Sequence, residues 1–231
     1  MIYAIGDIHG ELDKLERLLT KIEAQITPED RLVFLGDYVD RGPDVRGVIE
    51  LLIQIRENRP NTIFLRGNHE QIMLDSRELF RSGRALSEFD AAAAWFSLGG
   101  AETLASYPHR NVSKWYERVP ENLWHFIEST RIEFRADPYL FVHAGIVPPG
   151  KRWTDADDPR LWIREPFLAF HGDLGAIVVF GHTPMRSGRP LVTTNKIGID
   201  TGAAYRGPLT AAALEPGEPY EPDKLVFLSS A

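Results

Sequence analysis

Short apolar runs of strand length recur along the chain, and a polar cluster follows almost every one of them. Six such runs are IYAI from residue 2, LVFL from residue 32, TIFL from residue 62, YLFV from residue 139, AIVVF from residue 176 and KIGI from residue 196. Continuous runs rich in β-branched and aromatic residues are typical of strands that are buried on both faces. The chain is therefore predicted to contain a sheet that lies in its interior.

Two segments between the first strands have the spacing of amphipathic helices. Their apolar stripes are Leu12, Leu15, Leu18, Leu19 and Ile22 in the first segment, and Val45, Val48, Ile49, Leu52 and Ile55 in the second. Pro28 and Pro60 lie just beyond the two stripes, where helices commonly stop. The alternation of strands and helices predicts an α/β fold.

Residues 76–135 interrupt this alternation. Strand-like runs are missing there, and the segments DAAAAWF, SKWYERV and ENLWHFIEST look helical. We predict one domain over residues 1–231, with a helical insertion or cap at about 76–135. The last segment, EPGEPYEPDKLVFLSS, predicts a loop rich in Pro and Glu that leads into an edge strand.

Composition narrows the classes of function. The 231 residues are 43% hydrophobic, enough for a sizeable core, and the absence of cysteine excludes thiolate nucleophiles and cysteine-ligated zinc. A net charge of −7 without any basic run argues against nucleic acid as the partner. No apolar run approaches the roughly 20 residues that span a bilayer, and the first residues lack a signal-peptide pattern. We expect a cytoplasmic protein with no membrane partner.

The polar clusters after the strands supply the candidate chemistry. In open α/β sheets, ligands bind beyond the carboxyl ends of the strands. The residues that would gather there are Asp7, His9, Asp37, Asn68, His143 and His182. Carboxylate, imidazole and amide ligands without sulfur suit Mn, Fe, Co, Ni or Zn. Six ligands exceed the three or four of one catalytic zinc, so two metal ions that share one carboxylate are predicted.

Each cluster by itself also fits an ordinary structural role. The aspartates could be helix N-caps, the Asn68–His69 pair could form a turn, and the later histidines could be core residues with satisfied hydrogen bonds. The joint occurrence of these residue types just after buried strands favours the metal site. The other three histidines, His109, His125 and His171, lie outside the clusters.

Five motifs resemble, in the same order, those of the calcineurin-like metallophosphoesterases. They are GDIHG at 6–10, GDYVDRG at 36–42, GNHE at 67–70, HAG at 143–145 and GHT at 181–183. The longer second motif is similar to that of the phosphoprotein phosphatases, including their small bacterial and bacteriophage members. The resemblance implies a four-layer αββα fold, in which helices flank a central β-sandwich.

The resemblance also implies a role for each residue. Asp7 and His9 would hold the first metal ion, Asp37 would bridge to the second, and Asn68, His143 and His182 would complete the second site. His69, oriented by Asp40, would protonate the leaving alkoxide. Arg41 and Arg164 would bind the phosphate, and Arg66 is a further candidate on the substrate side.

These roles predict an enzyme that hydrolyses phosphomonoesters by attack of a metal-bridging hydroxide. Its two ions are expected to be Mn²⁺, with Fe, Zn, Ni and Co as the other candidates. The expected substrate is a protein phosphorylated on serine or threonine, with phosphotyrosine as a further candidate, or a small phosphoester. One alternative is symmetrical cleavage of diadenosine tetraphosphate, and a less favoured one is a non-catalytic scaffold that senses phosphate.

Overall fold

The computed structural model describes residues 1–82, 95–107 and 112–231. The strands in these ranges are β1 (Ile2–Ile5), β2 (Arg31–Phe34), β3 (Ile63–Phe64), β4 (Glu133–Ala136), β5 (Tyr139–Val142), β6 (Ile177–Phe180), β7 (Leu191–Val192), β8 (Lys196–Gly198), β9 (Thr210–Leu214) and β10 (Val226–Ser229). They form two five-stranded mixed sheets, in the orders β10-β9-β1-β2-β3 and β4-β5-β6-β8-β7.

Helices precede and follow the strands of both sheets. They are α1 (Leu12–Glu23), α2 (Val45–Asn58), α3 (Asn68–Arg81), α4 (Ala101–Ser106), α5 (Glu121–Glu128) and α6 (Pro159–Trp162). A π-helical turn spans Phe96–Gly100, and 3₁₀ turns span Val112–Arg118, Ala203–Tyr205 and Pro222–Lys224. Among the helices of the described ranges, none is long and apolar enough to cross a bilayer.

Parallel pairing brings the strand ends to one edge. In the first sheet β1, β2 and β3 run parallel, with Ile2 opposite Arg31 and Val33 opposite Ile63. In the second sheet β5, β6 and β8 run parallel as well. The polar residues that follow these strands therefore leave each sheet at the same edge.

The two sheets pack face to face and bury a layer of apolar side chains between them. Val33 and Leu35 of the first sheet belong to the same cluster as Phe141 and Val179 of the second, and all four side chains have no solvent exposure. This layer confirms the prediction of a central β-sandwich, and it fixes the separation of the two strand edges that carry the candidate ligands.

The outer faces of the sandwich are covered differently. Phe34 on the outer face of the first sheet packs with the apolar stripes predicted for α1 and α2. On the second sheet, Val178 packs with Ile163 and Phe167, which belong to a mainly irregular segment next to the short α6. The prediction of flanking helices on an α/β fold is confirmed, with the longer helices on the first sheet.

The region predicted as a helical insertion is only partly described. Residues 83–94 and 108–111 lie outside the described ranges, and they include most of the predicted DAAAAWF helix. In the described part, Phe126 and Ile127 of α5 belong to the same core cluster as α2. The segment SKWYERV forms a 3₁₀ turn, and β4 begins at Glu133, inside the region where no strand was expected. The single-domain prediction with an insertion at 76–135 stays a prediction.

Candidate dimetal site

The backbone turns sharply at the residues predicted for the site. Six non-glycine residues of the described ranges have φ in the left-handed region, and five of them are candidates: His9 (48°), Asp37 (53°), Asp40 (71°), Arg41 (69°) and His182 (62°). Such conformations cost about 1–3 kcal/mol each, persist only where the surrounding structure fixes them, and cluster at functional sites. These five residues follow the carboxyl ends of β1, β2 and β6.

Asp37 occupies the centre of the site. Its Oδ1 lies 3.4 Å from Nε2 of His143, and its Oδ2 lies 3.3 Å from Nε2 of His9. Among the described residues, two groups of side chains are close enough to hold an ion, and all of their members are buried. One group is His9, Asp37 and His69, and the other is Asp37, His143 and His182. Asp37 alone belongs to both groups, which is the position expected of a bridging ligand.

Two glycines allow the close approach of the carboxylates. A Cβ on Gly67 would lie 2.1 Å from Oδ1 of Asp37, and a Cβ on Gly181 would lie 2.0 Å from Oδ1 of Asp7. Any side chain at either position would therefore displace a carboxylate from the site. Steric crowding by the two carboxylates therefore explains why glycine occupies positions 67 and 181.

The hydrogen bonds of His143 test whether a cation fits. Its Nδ1 donates to the Leu35 carbonyl at 2.8 Å, so the lone pair of the neutral ring is on Nε2. That Nε2 lies 2.9 Å from Oδ1 of Asn68, which is also an acceptor. Burial lowers the pKa of His143, which disfavours a proton that would join the two atoms. Two acceptors that face each other in a buried site fit a bound cation. Nδ1 of His182 lies 3.0 Å from the same oxygen.

His9 is oriented in the same way. Its Nδ1 donates to the Val39 carbonyl at 2.9 Å, which leaves Nε2 facing Asp37. The second imidazole nitrogen of metal-binding histidines is commonly bonded to a carbonyl or carboxylate, because that bond fixes the tautomer and the ring. The orientation of His9 therefore suits a ligand.

Asp7 accepts the backbone N–H of His182 with both carboxylate oxygens, at 3.1 and 2.9 Å. In the ligand group around His9, His69 stands where Asp7 was expected. Burial raises the pKa of Asp7 well above its usual value, and the charges of Asp200 and Asp37 raise it further. Carboxylates that crowd together in a buried site fit a bound cation, which relieves their repulsion.

Asp200 is missing from the set predicted from the sequence. It is 5% exposed, and its Oδ1 accepts the N–H of Gly202 at 2.9 Å. The signal was present, because Asp200 follows the strand-like run KIGI as the other candidates follow theirs. Because its charge raises the pKa of Asp7, Asp200 lies near that residue and joins Asp7 and Asp37 as a buried carboxylate of the site.

Asp40 and His69 form a buried pair. Nδ1 of His69 lies 2.7 Å from Oδ2 of Asp40, whose side chain has no exposure. Oγ1 of Thr103 donates to Oδ1 of Asp40 at 2.6 Å, and Nε1 of Trp95 donates to its Oδ2 at 3.1 Å. Burial by itself would lower the pKa of His69, but Asp37 and the bond to Asp40 outweigh it and raise that pKa. The pair favours a charged imidazolium that can donate a proton.

Replacing Asp40 by asparagine should lower the pKa of His69. The raised pKa keeps the imidazolium present at higher pH, and an amide at position 40 removes one of the charges that raise it. In a profile of kcat against pH, the pH at which activity falls on the alkaline side should decrease by about one pH unit or more. Thr103→Val, which keeps the carboxylate, should shift it less. An unchanged alkaline limb in Asp40→Asn would contradict the pairing.

Glu70, quoted in the third motif without a role, holds the Asp37 loop. Its carboxylate accepts the backbone N–H groups of Asp37 at 2.8 Å, Tyr38 at 2.7 Å, Val39 at 3.2 Å and Gly67 at 2.8 Å. Burial and the charge of Asp37 raise the pKa of Glu70 to about 7, although these donors oppose the shift. Glu70 therefore fixes the loop from which Asp37 reaches the site.

The capping role considered for the second motif belongs to another residue. Oδ1 of Asp44 accepts the N–H of Gly47 at 2.8 Å and caps α2, whereas Asp37 and Asp40 face the site. The Asn68–His69 pair forms the first turn of α3. The N-cap alternative is therefore wrong for Asp37 and Asp40.

The three predicted arginines lie in different surroundings. Nη1 of Arg41 lies 2.6 Å from Nε2 of His9, and its Nη2 lies 2.9 Å from Nε2 of His69. Arg164 is exposed, and its Nη2 lies 3.5 Å from the His182 carbonyl. Arg66 donates instead to Thr130, Gln71 and the carbonyls of residues 127 and 128. Its hydrogen bonds tie the end of β3 to the end of α5, and they do not support a contact with substrate.

Comparison with known proteins places the chain in a family. The model of the calcineurin-like phosphoesterases matches residues 1–203. Serine/threonine-protein phosphatase 1 of Salmonella typhimurium is 32% identical over 93% of this chain and 92% of the relative. Bis(5'-nucleosyl)-tetraphosphatase PrpE (asymmetrical) of Oceanobacillus iheyensis is 28% identical over 90% of this chain and 86% of the relative.

Solved structures share the fold. A crystal structure provisionally named a diadenosine tetraphosphatase has a TM-score of 0.63 at 21% identity, over 99% of this chain and 92% of that one. A cold-active protein tyrosine phosphatase has a TM-score of 0.57 at 21% identity, over 91% and 72%. With the family match over 203 of 231 residues and a relative 32% identical along most of its length, the chain belongs to the calcineurin-like phosphoesterases and is a hydrolase.

Proposed function

We propose that the protein is a dimetal-dependent phosphatase that hydrolyses phosphoserine and phosphothreonine in proteins. The observation that carries the proposal is the convergence of Asp37 with His9, His69 and His143 beside the guanidinium of Arg41. The serine/threonine phosphatase relative, similar over nearly the whole chain, supports this choice of substrate.

The residues that would hold two metal ions are the carboxylates, imidazoles and amide that converge after the strand ends. Asp7, His9 and Asp37 would hold one ion, and Asp37, Asn68, His143 and His182 would hold the other. When bound, the ions would supply Lewis-acid activation of the attacking water and would neutralise charge on the phosphate. We propose Mn²⁺ as the ion, and Fe, Co, Ni and Zn also suit these carboxylate, imidazole and amide donors.

The remaining residues would bind the phosphate and move a proton. The planar guanidinium of Arg41 would pair with two phosphate oxygens, and Arg164 would approach from the side of His182. The imidazolium of His69, held by Asp40 at 2.7 Å, would donate its Nε2 proton to the leaving alkoxide. Alkoxides are poor leaving groups, so this proton transfer matters most for phosphoserine and phosphothreonine.

A second candidate function is the hydrolysis of dinucleoside tetraphosphates. The PrpE relative and the provisionally named structural neighbour favour it. The sequence predicted symmetrical cleavage, whereas the name of the PrpE relative specifies the asymmetrical reaction. The products separate the two, since symmetrical cleavage of diadenosine tetraphosphate gives two ADP and asymmetrical cleavage gives ATP and AMP.

A substrate panel at matched enzyme concentration tests the proposal. We expect kcat/KM on a phosphothreonine peptide to exceed that on diadenosine tetraphosphate by about 10-fold or more, a difference of about 1.4 kcal/mol in transition-state binding. The assays are run with added Mn²⁺ and again after chelation, which should abolish both reactions. A preference of the same size for diadenosine tetraphosphate would favour the second candidate, and turnover of neither compound would overturn both.

A further inference from the structure

A buried lysine lies beneath the segment that carries Arg164, and the proposed chemistry does not use it. Lys196 begins β8, and its side chain has no solvent exposure. Its neighbour Ile197 belongs to the layer between the sheets, so the side chain of Lys196 points to the outer face of the second sheet. A lysine is almost never buried to this extent without partners, because a charged group is costly to desolvate.

The partners of Lys196 are three backbone carbonyls. Its Nζ donates to the oxygens of Phe167 at 2.9 Å, Leu168 at 3.0 Å and Phe170 at 2.5 Å. An ammonium has three hydrogens to donate, so these bonds use all of them. Burial lowers the pKa of Lys196 and the charge of Glu165 opposes the shift. The Lys196 side chain thus donates all of its hydrogen bonds to one short stretch of backbone, residues 167–170.

That stretch is the turn that follows Arg164. The N–H of Leu168 donates to the Arg164 carbonyl at 2.8 Å, and the N–H of Phe170 donates to the Phe167 carbonyl at 3.1 Å. The turn has no regular secondary structure. Without the ammonium, its three inward carbonyls would lose a buried hydrogen-bond donor, and buried backbone acceptors are rarely left unpaired.

Phe167 anchors the same turn against the site. Its ring is fully buried, and it packs edge to face on Phe180 with ring centroids 5.1 Å apart. Gly145, two residues after the candidate ligand His143, lies so close that an added Cβ would meet Phe167 Cδ1 at 2.4 Å. The position of the turn is therefore coupled to the strand end that carries His143.

We propose that Lys196 is a positioning residue for Arg164. Its three hydrogen bonds hold the turn of residues 164–170, and the turn holds the exposed guanidinium of Arg164 beside the His182 carbonyl, where it binds the phosphate of the substrate. The inference rests on the proposed function, because it takes Arg164 as a phosphate ligand. A guanidinium held in place in advance loses less conformational freedom when the phosphate binds.

A double-mutant cycle with Lys196→Met and Arg164→Ala tests the inference. The measured quantities are KM for the phosphopeptide and the inhibition constant of inorganic phosphate. Each single variant should raise both by about 3-fold or more, within the range of coupling found for residues of one network. In the Arg164→Ala background, Lys196→Met should add less than about 2-fold, because the residue through which it acts is already gone.

A matched control separates positioning from stability. Ile49 of α2 is fully buried in the cluster on the outer face of the first sheet, on the other side of the sandwich from Lys196. Ile49→Val should lower the melting temperature but leave KM and phosphate inhibition unchanged. Metal content per chain should be the same in all variants. Should Lys196→Met not fold, Lys196→Gln, whose amide can donate two hydrogen bonds, replaces it in the cycle with a smaller expected effect.

The outcomes distinguish this inference from the proposed function. If Arg164→Ala weakens phosphate inhibition while Lys196→Met does not, or if the two effects multiply fully, Lys196 does not act through Arg164. If Arg164→Ala has no effect, the inference fails while phosphatase activity stands. If the unmodified protein hydrolyses no phosphoester, the proposed function itself fails, and phosphate binding by the same four variants still tests the positioning role.

Discussion

Replacing Asp37 by alanine should remove both metal ions and lower kcat/KM by at least about 1,000-fold. This loss exceeds the roughly 10- to 100-fold cost of losing an outer-shell partner of a metal site. The reason is geometric: Asp37 is the one residue shared by both groups of candidate ligands. Its two oxygens face different imidazoles, at 3.3 Å from His9 and 3.4 Å from His143. No other carboxylate of the described residues has this position.

Metal analysis of the purified variant is the decisive measurement. The unmodified protein should carry two ions per chain, and Asp37→Ala close to none. Asp44→Ala is the matched control, because it makes the same substitution at the N-cap of α2. It should cost about 1 kcal/mol of stability, as the loss of a cap typically does, and leave the metal content unchanged. Two ions retained in Asp37→Ala would show that Asp37 does not bridge.

Replacing His69 by asparagine should lower kcat by about 100- to 10,000-fold, the range for a general acid. The imidazole is 2% exposed and bonded to Asp40 through Nδ1, so Nε2 is the nitrogen that faces Arg41, the proposed phosphate ligand, at 2.9 Å from Nη2. His69 also lies within one of the two ligand groups, with its Nε2 3.9 Å from Asp37. Metal content therefore separates the two roles, since a general acid can be removed without loss of metal.

Leaving-group dependence gives an independent readout of the same substitution. The 4-nitrophenolate ion departs without a proton, so His69→Asn should lose much less activity on 4-nitrophenyl phosphate than on a phosphothreonine peptide. His125→Asn is the matched control, because His125 lies exposed on α5. Among the ion pairs of the described residues, His125 takes part in one, with Glu121 at 3.4 Å. Equal losses on both substrates, or loss of metal in His69→Asn, would contradict the role of general acid.

The hydrophobic pattern predicted most of the sheet positions but missed three strands, namely β4, β9 and the two-residue β7. The six apolar runs correspond to β1, β2, β3, β5, β6 and β8. β9 was not predicted because its sequence TAAAL has low strand propensity. In the structure all five of its residues are buried, and the strand lies between β1 and β10. β4 escaped because its sequence EFRA carries two charged residues, as suits a strand at the edge of the sheet.

The sequence by itself determined which chemistry is available, because the ligand types follow buried strands and parallel strands end at one edge. Only the tertiary structure decided what surrounds those residues. Trp95 and Thr103 bond to Asp40 across 55 and 63 residues of chain, and Lys196 bonds to a turn 26 to 29 residues away. Such contacts depend on packing between elements, and local spacing along the chain carries no information about them.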